Sequence, residues 1–312
     1  MSSKSYDDRP QRHSLLSCSD AERQCSRRPP TDMPTDFERV SSRRNATVGA
    51  FRTAAAPRVA DAPMLLDGRH LVEDARRAGV AVTLAAVMAS RLEADASLAA
   101  LASTIAGEGT RVLSVTDDVM DAISPVSSPS GIVALAGRPT ISLDDVLARS
   151  PQLVVGLVDL QDPGNVGAVI RTADAAGAGG VVASGHCADP YGWKALRGAM
   201  GGTFRVPVAQ VPDPSAVVTE ARAKGLTIVA TAPQGGTPPW AMTLTQPALV
   251  LIGGEGAGLP TALVAAADET LSIPMPGGAE SLNAAAAAAV VVYESVRQRR
   301  GDDSPAAPEP AP

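Results

Sequence analysis

The amino-acid sequence predicts an α/β protein of two domains, of which the second is built on a parallel sheet. Apolar runs of strand length alternate with helical segments along most of the chain. Its 312 residues are enough for two domains of ordinary size. The run Leu153–Leu160 is apolar almost throughout, which is typical of a strand that is buried on both faces of a sheet.

The first block of strands and helices begins near Asn45 and gives a predicted domain over residues 46–136. Its predicted strands are Pro63–Leu66, Val80–Met88, Arg111–Val115 and Gly131–Ala136, and its predicted helices are Arg69–Ala78, Ala96–Ala106 and Asp117–Ile123. Gly79 and Gly107 follow two of these helices, where glycine commonly ends a helix. The block predicts a small α/β/α sandwich.

A predicted linker with a short acidic helix, residues 137–150, leads into a second domain over residues 151–300. The predicted strands there are Leu153–Leu160, Gly180–Ala183, Leu226–Thr231, Ala248–Ile252 and Thr270–Ile273. The predicted helices are Val166–Ala176, Tyr191–Met200, Pro214–Lys224, Pro260–Ala267 and a long final one over Leu282–Arg300. From this alternation alone, the domain would be a doubly wound, Rossmann-like one.

Both ends of the chain have the composition of disordered tails. Residues 1–45 are rich in Ser, Arg, Asp and Pro, and residues 301–312 in Pro and Ala. An alternative for the first segment is that translation starts at Met33.

Composition restricts the environment and the classes of function. The net charge of −6 argues against a non-specific nucleic-acid binder, so any RNA recognition depends on local patches. Three cysteines without a secretory signal favour a reducing cytoplasm, and neither they nor the three histidines have metal-ligand spacing. No run approaches the roughly 18 apolar residues of a membrane span. We therefore expect a cytoplasmic protein without metal or membrane contacts.

Three segments that follow predicted strands carry the candidate chemistry. In the first, Asp159–Arg171, a Pro-Gly turn precedes Asn165, which we expect to be a helix N-cap. An ordinary strand–turn–helix with a surface arginine also explains this segment. In the second, Gly253–Pro260, four glycines surround Glu255 and would let the backbone approach a ligand. Its spacing is neither a dinucleotide fingerprint nor a P-loop, and a plain helix-entry loop is the alternative.

The third segment, Ile273–Asn283, leads into the final helix. Ser281 is the expected N-cap, and capping alone would explain it. Asn283 lies in the expected first turn, where asparagine is a poor helix former. A Ser-x-Asn pair at this point indicates donors that are directed at a ligand.

In this order and at these intervals, the three segments resemble the motifs of the SpoU, TrmH-like methyltransferases of the SPOUT superfamily. The resemblance covers residues 151–300 and includes a basic segment that starts at Lys194-Ala195-Leu196-Arg197. The first block resembles the ribosomal-protein-like substrate-binding domain of such enzymes. It departs from their pattern at Asp67-Gly68, where Glu-Gly is usual, and at Ser130-Gly131, where Gln-Gly is frequent.

The resemblance implies a fold and a reaction. The implied fold is a SPOUT α/β knot, in which the C-terminal part of a parallel sheet threads a loop to form a deep trefoil knot. The resemblance also implies a homodimer. The reaction is methyl transfer from S-adenosylmethionine to a ribose 2′-hydroxyl of RNA. Because of the extra N-terminal domain we expect ribosomal RNA, with transfer RNA as the alternative.

The resemblance also assigns residues. The implied catalytic residues are Asn165, Arg171, Glu255, Ser281 and Asn283. The implied cofactor-binding residues are Thr231, Ala232, Ile252, Gly253, Gly254, Glu255, Gly256, Ile273, Met275, Ser281, Leu282 and Asn283. The implied RNA-binding residues are Arg171, Lys194 and Arg197. We expect Arg171 to grip a phosphate and not to act as a base, because a guanidinium has no acceptor.

Two other classes of function fit the sequence less well. A Rossmann oxidoreductase requires a glycine-rich turn after the first strand, where this domain has Asp162-Pro163-Gly164-Asn165. A non-catalytic RNA-binding or resistance module would not need the five implied catalytic residues, all of which are present.

Overall fold

The computed structural model describes residues 37–56, 62–148 and 153–302. The predicted tails, residues 1–45 and 301–312, lie mostly outside these ranges. No helix within them is long and apolar enough to cross a membrane.

The N-terminal domain is a five-stranded mixed sheet with helices on both faces. Its strands are β1 (Glu38–Val40), β2 (Met64–Asp67), β3 (Val82–Met88), β4 (Arg111–Val115) and β5 (Ile132–Ala136). Its helices are α1 (Ala46–Ala55), α2 (Arg69–Arg77), α3 (Ala89–Ala94), α4 (Ala96–Gly107) and α5 (Asp117–Ile123). The strand order is β1-β4-β3-β5-β2, with β5 antiparallel to both of its neighbours. Helices α1 and α5 cover one face, and α2 and α4 cover the other.

The N-terminal boundary of this domain differs from the prediction. Strand β1 lies inside the predicted tail of residues 1–45 and pairs with β4, Val40 opposite Val115, so the prediction was wrong for residues 38–40. Only Val40 of this three-residue edge strand is buried, which is too little to give an apolar pattern. Helix α1 follows directly and begins after Asn45, whose side chain accepts a hydrogen bond from the Thr47 N–H at 2.9 Å.

The C-terminal domain is a six-stranded sheet in which every pairing among the described strands is parallel. Its strands are β6 (Leu153–Val158), β7 (Gly180–Ser184), β8 (Val208–Val211), β9 (Thr227–Thr231), β10 (Ala248–Gly253) and β11 (Glu269–Leu271). The helices are α6 (Leu143–Leu147), α7 (Pro163–Ala175), α8 (Trp193–Ala199), α9 (Pro214–Ala223), α10 (Thr261–Ala266) and α11 (Ala284–Asp302). The order is β11-β9-β10-β6-β7-β8, and the knot remains a prediction.

One hydrophobic core runs through both domains. Helices α7, α8 and α11 cover the face of the second sheet that belongs to this core, while α6, α9 and α10 cover the opposite face. The shared cluster also contains the apolar residues of α2 and α4 in the first domain. Three arginine–aspartate pairs add to the joint between the domains: Arg138–Asp189 at 2.7 Å, Arg197–Asp67 at 3.4 Å and Arg205–Asp74 at 3.4 Å. Such an apolar joint holds two domains in one orientation.

Candidate functional site

The three candidate segments meet at one edge of the second sheet. They follow β6, β10 and β11, and the carboxyl ends of parallel strands lie on the same side of a sheet. Strands β6 and β10 are neighbours. Strands β7 and β8 lie on the β6 side of this pair, and β9 and β11 lie on the β10 side, so the strand order reverses between β6 and β10. Ligands of open α/β sheets bind where the strand order reverses, at the carboxyl ends of the strands.

The first segment turns sharply from β6 into α7. Asp159 adopts a left-handed backbone with φ of 55°, and its carboxylate accepts a hydrogen bond from the His186 N–H at 2.7 Å. Asp162 caps the helix by accepting from the Asn165 N–H at 2.8 Å, with Pro163 in the first turn. The prediction that Asn165 is the N-cap was therefore wrong. Because Asp162 caps the helix, the Asn165 side chain is free for other contacts.

The second segment needs glycine because it packs backbone against backbone. A Cβ on Gly254 would overlap the carbonyl oxygen of Asp159, which belongs to the turn after β6. A Cβ on Gly253 would overlap Gly258. The loop that carries Glu255 therefore closes tightly against the first segment.

The third segment reaches the site at the start of α11. The Asn283 Oδ1 accepts hydrogen bonds from the N–H groups of Ala285 at 2.9 Å and Ala286 at 3.3 Å. Asn283 is thus the N-cap, and the prediction of Ser281 was wrong. Ser281 lies two residues earlier in an exposed loop and, among the described residues, makes no hydrogen bond to the first turn.

A chain of hydrogen bonds joins side chains from all three segments. The Asn283 Nδ2 donates to the Asn165 Oδ1 at 3.0 Å, and the Asn165 Nδ2 donates to the Glu255 Oε1. The amide of Asn165 is thereby fixed by one donor and one acceptor that lie 118 and 90 positions away in the sequence. Three of the five predicted catalytic residues are in direct contact.

A cavity of about 410 Å³ opens beside this chain of hydrogen bonds. All twelve predicted cofactor-binding residues line it, Ser281 among them. Further lining residues that sequence reasoning did not assign to the cofactor are Pro233, Ala257, Gly258, Leu259, Val264, Leu271, Ala284 and Ala287. Ala284 and Ala287 lie three positions apart on α11 and so share one face. This pair of small side chains on one face of α11 is the sequence signal that could have indicated Ala284 and Ala287 as lining residues.

The predicted RNA-binding residues do not line this cavity. Arg171 is exposed on α7, and within the described ranges it has no hydrogen-bond or ion-pair partner. Lys194 and Arg197 lie on α8. The Lys194 Nζ is 5.4 Å from the ring centroid of Trp193, and Arg197 pairs with Asp67 of the N-terminal domain. The described residues include no cluster of three or more metal-ligating side chains.

Comparison with known sequences gives a consistent result for the second domain. The sequence model of the SpoU rRNA Methylase family matches residues 152–293. A 23S rRNA (uridine(2479)-2'-O)-methyltransferase of Streptomyces viridochromogenes is 42% identical over 177 residues, which are 55% of this chain and 62% of that protein. The chain thus spans less than two thirds of that relative.

Longer matches include the N-terminal domain. The 23S rRNA (guanosine(2553)-2'-O)-methyltransferase RlmP of Bacillus subtilis (strain 168) is 35% identical over 73% of this chain and 86% of its own length. Among solved structures, the SpoU methyltransferase AviRb from Streptomyces viridochromogenes, in complex with the cofactor AdoMet, superposes with a TM-score of 0.71. That match is 32% identical and covers 82% of this chain and 99% of AviRb.

Proposed function

This chain belongs to the SpoU rRNA methylase family, and from this membership we propose that it transfers a methyl group from S-adenosylmethionine to a ribose 2′-hydroxyl of ribosomal RNA. The observation that carries the proposal is the contact of Asn165, Glu255 and Asn283 beside the cavity. It brings three sequence segments to one point, where a methyl donor and a hydroxyl acceptor could meet. The names of the two relatives support the reaction and the class of RNA.

The cavity fits a cofactor of this kind. Its volume of about 410 Å³ lies within the range of roughly 300–1,000 Å³ that is usual for small-molecule sites. Ile252, Leu271 and Ile273 supply apolar wall, which suits the flat face of an adenine ring. The glycines of the loop after β10 expose peptide groups that can hydrogen-bond to polar atoms. AviRb, with 32% identity, was solved with AdoMet bound.

Positioning supplies much of the rate in such a reaction. When bound, S-adenosylmethionine supplies an electrophilic methyl group. The protein has to hold the ribose 2′-oxygen in line with that group, and good alignment is worth an effective molarity of roughly 10⁵–10⁸ M. We assign Asn165, which is fixed between Asn283 and Glu255, to the orientation of the ribose. Ser281, exposed at the cavity, is a further hydrogen-bonding group for cofactor or substrate.

Arg171 is assigned to the RNA phosphate. A guanidinium offers only N–H donors and no acceptor, so Arg171 is not suited to take the proton of the 2′-hydroxyl. Its planar fork suits two phosphate oxygens, and within the described chain no carboxylate occupies it. Lys194 and Arg197 on α8 are assigned to the same backbone, on the side of the N-terminal domain.

The same proposal covers the role of the N-terminal domain, the location of the protein and its oligomeric state. We assign the N-terminal domain to RNA binding and the protein to the cytoplasm. We also assign it to homodimers, for which the exposed Val290 and Tyr293 on α11 offer apolar surface. Transfer RNA is the alternative substrate.

Methyl transfer from labelled S-adenosylmethionine to separated ribosomal and transfer RNA tests the proposal. We expect a higher kcat/KM on 23S rRNA, with product that resists alkaline cleavage because the 2′-oxygen is blocked. Preference for transfer RNA would establish the alternative. No transfer to either RNA would contradict the proposed function.

A further inference from the structure

Asp67 has no part in any step of the proposed reaction. Asp67 is the last residue of β2 in the N-terminal domain, and its side chain is only 2% exposed. The Ser124 Oγ donates to its Oδ2 at 2.6 Å, and the Arg197 Nη1 of the C-terminal domain lies 3.4 Å from its Oδ1. It is thus a buried carboxylate at the joint of the two domains.

Stability does not explain a carboxylate at this point. Burying a charge is costly unless close partners compensate it, and a buried ion pair is weak grounds for inferring stability. The contact with Arg197 is long for a charge-assisted hydrogen bond, which is usually about 2.7–2.9 Å. An asparagine of the same shape would satisfy Ser124 without carrying a charge.

Arg197 contacts Asp67 through Nη1, while much of its side chain is exposed to solvent. Its side chain is 48% exposed, although Asp67 beside it is almost fully buried. A guanidinium has five N–H donors, so a single contact with Asp67 leaves most of them free. The loop of residues 124–130, which contributes Ser124 to the same carboxylate, also carries exposed hydroxyls at Ser127, Ser128 and Ser130. Arginine and hydroxyl groups together are typical contacts of a nucleic-acid backbone.

Helix α8 connects this point to the candidate active site. Arg197 lies on α8, and Trp193 of the same helix packs against the core of the N-terminal domain. On its other side α8 packs closely on α7, where a Cβ on Gly167 would lie 2.9 Å from the Ala199 nitrogen. Helix α7 carries both Asn165 and Arg171. An RNA held at Arg197 therefore lies against the helix next to the catalytic one.

We propose that Asp67 is a positioning residue, which holds the Arg197 guanidinium at the joint of the domains so that its free N–H groups bind an RNA phosphate. This inference rests on the proposed function, since it takes RNA as the substrate. It extends that function to a residue of the N-terminal domain and identifies the loop of residues 124–130 as part of the RNA-binding surface.

The variant Asp67→Asn distinguishes the positioning of Arg197 from the mere neutralisation of its charge. If Asp67 only neutralised Arg197, Asp67→Asn would strengthen RNA binding, because an acidic group near phosphate would be lost. If Asp67 positions Arg197, Asp67→Asn weakens binding. The probe is in vitro transcribed 23S rRNA, whose affinity is measured by filter binding over a series of KCl concentrations.

For Arg197→Ala we expect an affinity about tenfold lower and a salt slope reduced by about 0.7–0.9, the value of one phosphate contact. For Asp67→Asn we expect a change in the same direction for both quantities, with a raised KM for RNA and an unchanged kcat. The double variant should bind no more weakly than Arg197→Ala, because both changes remove one contact. Asp74→Asn, which removes another aspartate of the joint, is the matched control and should retain wild-type affinity.

Tighter or unchanged binding by Asp67→Asn, or additive losses in the double variant, would overturn the proposal. So would an equal loss in Asp74→Asn, since Asp67 would then act only by docking the domains. If Asp67→Asn does not fold, Arg197→Lys decides, because it keeps the charge but loses the fork. Wild-type affinity and slope in Arg197→Lys would contradict the inference. Methyl transfer by the wild type to the same RNA tests the proposed function separately.

Discussion

At the level of single residues, the site depends on hydrogen bonds between amide side chains. Asn283 has two tasks, since its Oδ1 caps α11 and its Nδ2 holds Asn165. Both tasks use the same amide group, so helix start and site geometry are coupled. Nothing comparable holds for Ser281, which lies outside the helix.

Replacement of Asn283 tests this coupling. In Asn283→Ala the loss of the cap should lower the free energy of unfolding by about 1 kcal/mol. Methyl transfer should fall about 100-fold, because Asn165 loses the donor that fixes it. Denaturant unfolding and single-turnover kinetics measure the two effects. Ser281→Ala is the control for stability, and an equal loss of stability in that variant would contradict the assignment of the cap.

Asp67 gives a prediction for pH. Burial raises the pKa of its carboxyl above the ordinary 3.8, against the lowering effects of the Ser124 hydrogen bond and the Arg197 charge. The folded chain therefore holds this proton more readily than the unfolded chain does. As a result, the contribution of Asp67 to stability falls as the pH rises through its raised pKa.

Asp67→Asn should remove this fall in stability with rising pH. Relative to the wild type, the variant should become more stable as the pH is raised from about 4 to about 7. Denaturant unfolding of both proteins at a series of pH values measures the difference. A difference that is constant with pH, or that changes in the opposite direction, would show that the Asp67 pKa is not raised.

At the level of elements, the crossing of α7 and α8 fixes the position of the helix that carries Asn165. The two helices touch through backbone at Gly167 and Gly198. A methyl group on Gly167 would overlap the Ala195 carbonyl oxygen and lie 2.9 Å from the Ala199 nitrogen. Because backbone atoms cannot move aside as a side chain can, the helices would have to separate.

Gly167→Ala should therefore destabilise the protein by about 1–3 kcal/mol and lower methyl transfer, since Asn165 lies on the same helix. Gly49→Ala is the matched control, because Gly49 is also helical and a Cβ there meets nothing within 4 Å. That substitution should stabilise the protein by roughly 0.5–1 kcal/mol. Calorimetry compares the two, and equal stability changes would be inconsistent with a close crossing.

Long apolar runs made most of the second domain predictable. The run Leu153–Leu160 gave β6, which ends two residues earlier than predicted. The Ala-rich segment gave α11, which begins and ends two residues later than predicted. Strand β8 was missed because it has four residues between Pro207 and Pro212, with Gln210 exposed. A strand this short has too few positions to show a period.

The caps show what sequence reasoning could not decide. Asp162 and Asn165 are both good capping residues, and so are Ser281 and Asn283. Local preference allows either member of each pair. The choice is made by contacts between distant segments, since the Asn165 side chain bonds to Glu255 and Asn283. Motif spacing could indicate that these residues act together, but not which atoms meet.

For the whole molecule, the shared core has a consequence for unfolding. One hydrophobic cluster includes residues of both domains, and three arginine–aspartate pairs cross the joint. Separate domains commonly unfold in separate steps. Here the shared cluster would lose part of its packing if either domain unfolded alone, so differential scanning calorimetry should show a single transition. Two well-separated transitions would contradict a common core.

The net charge of −6 means that the whole-molecule field does not attract RNA. Under the proposed function, recognition comes from a few basic groups that are not neutralised, to which we assign Arg171. Because Arg171 is exposed and has no partner within the described ranges, its removal should change the free energy of unfolding by no more than about 0.5 kcal/mol.

The chemical position of the label in 23S rRNA, after incubation with wild type or with Arg171→Ala and labelled S-adenosylmethionine, tests the proposed reaction most directly. The predicted result is a methyl group on a ribose 2′-oxygen at one nucleotide with the wild type. No label is expected with Arg171→Ala, although that variant keeps its folding and its affinity for the cofactor. A methyl group on a base, or full transfer by Arg171→Ala, would contradict the reaction and the role assigned to this arginine.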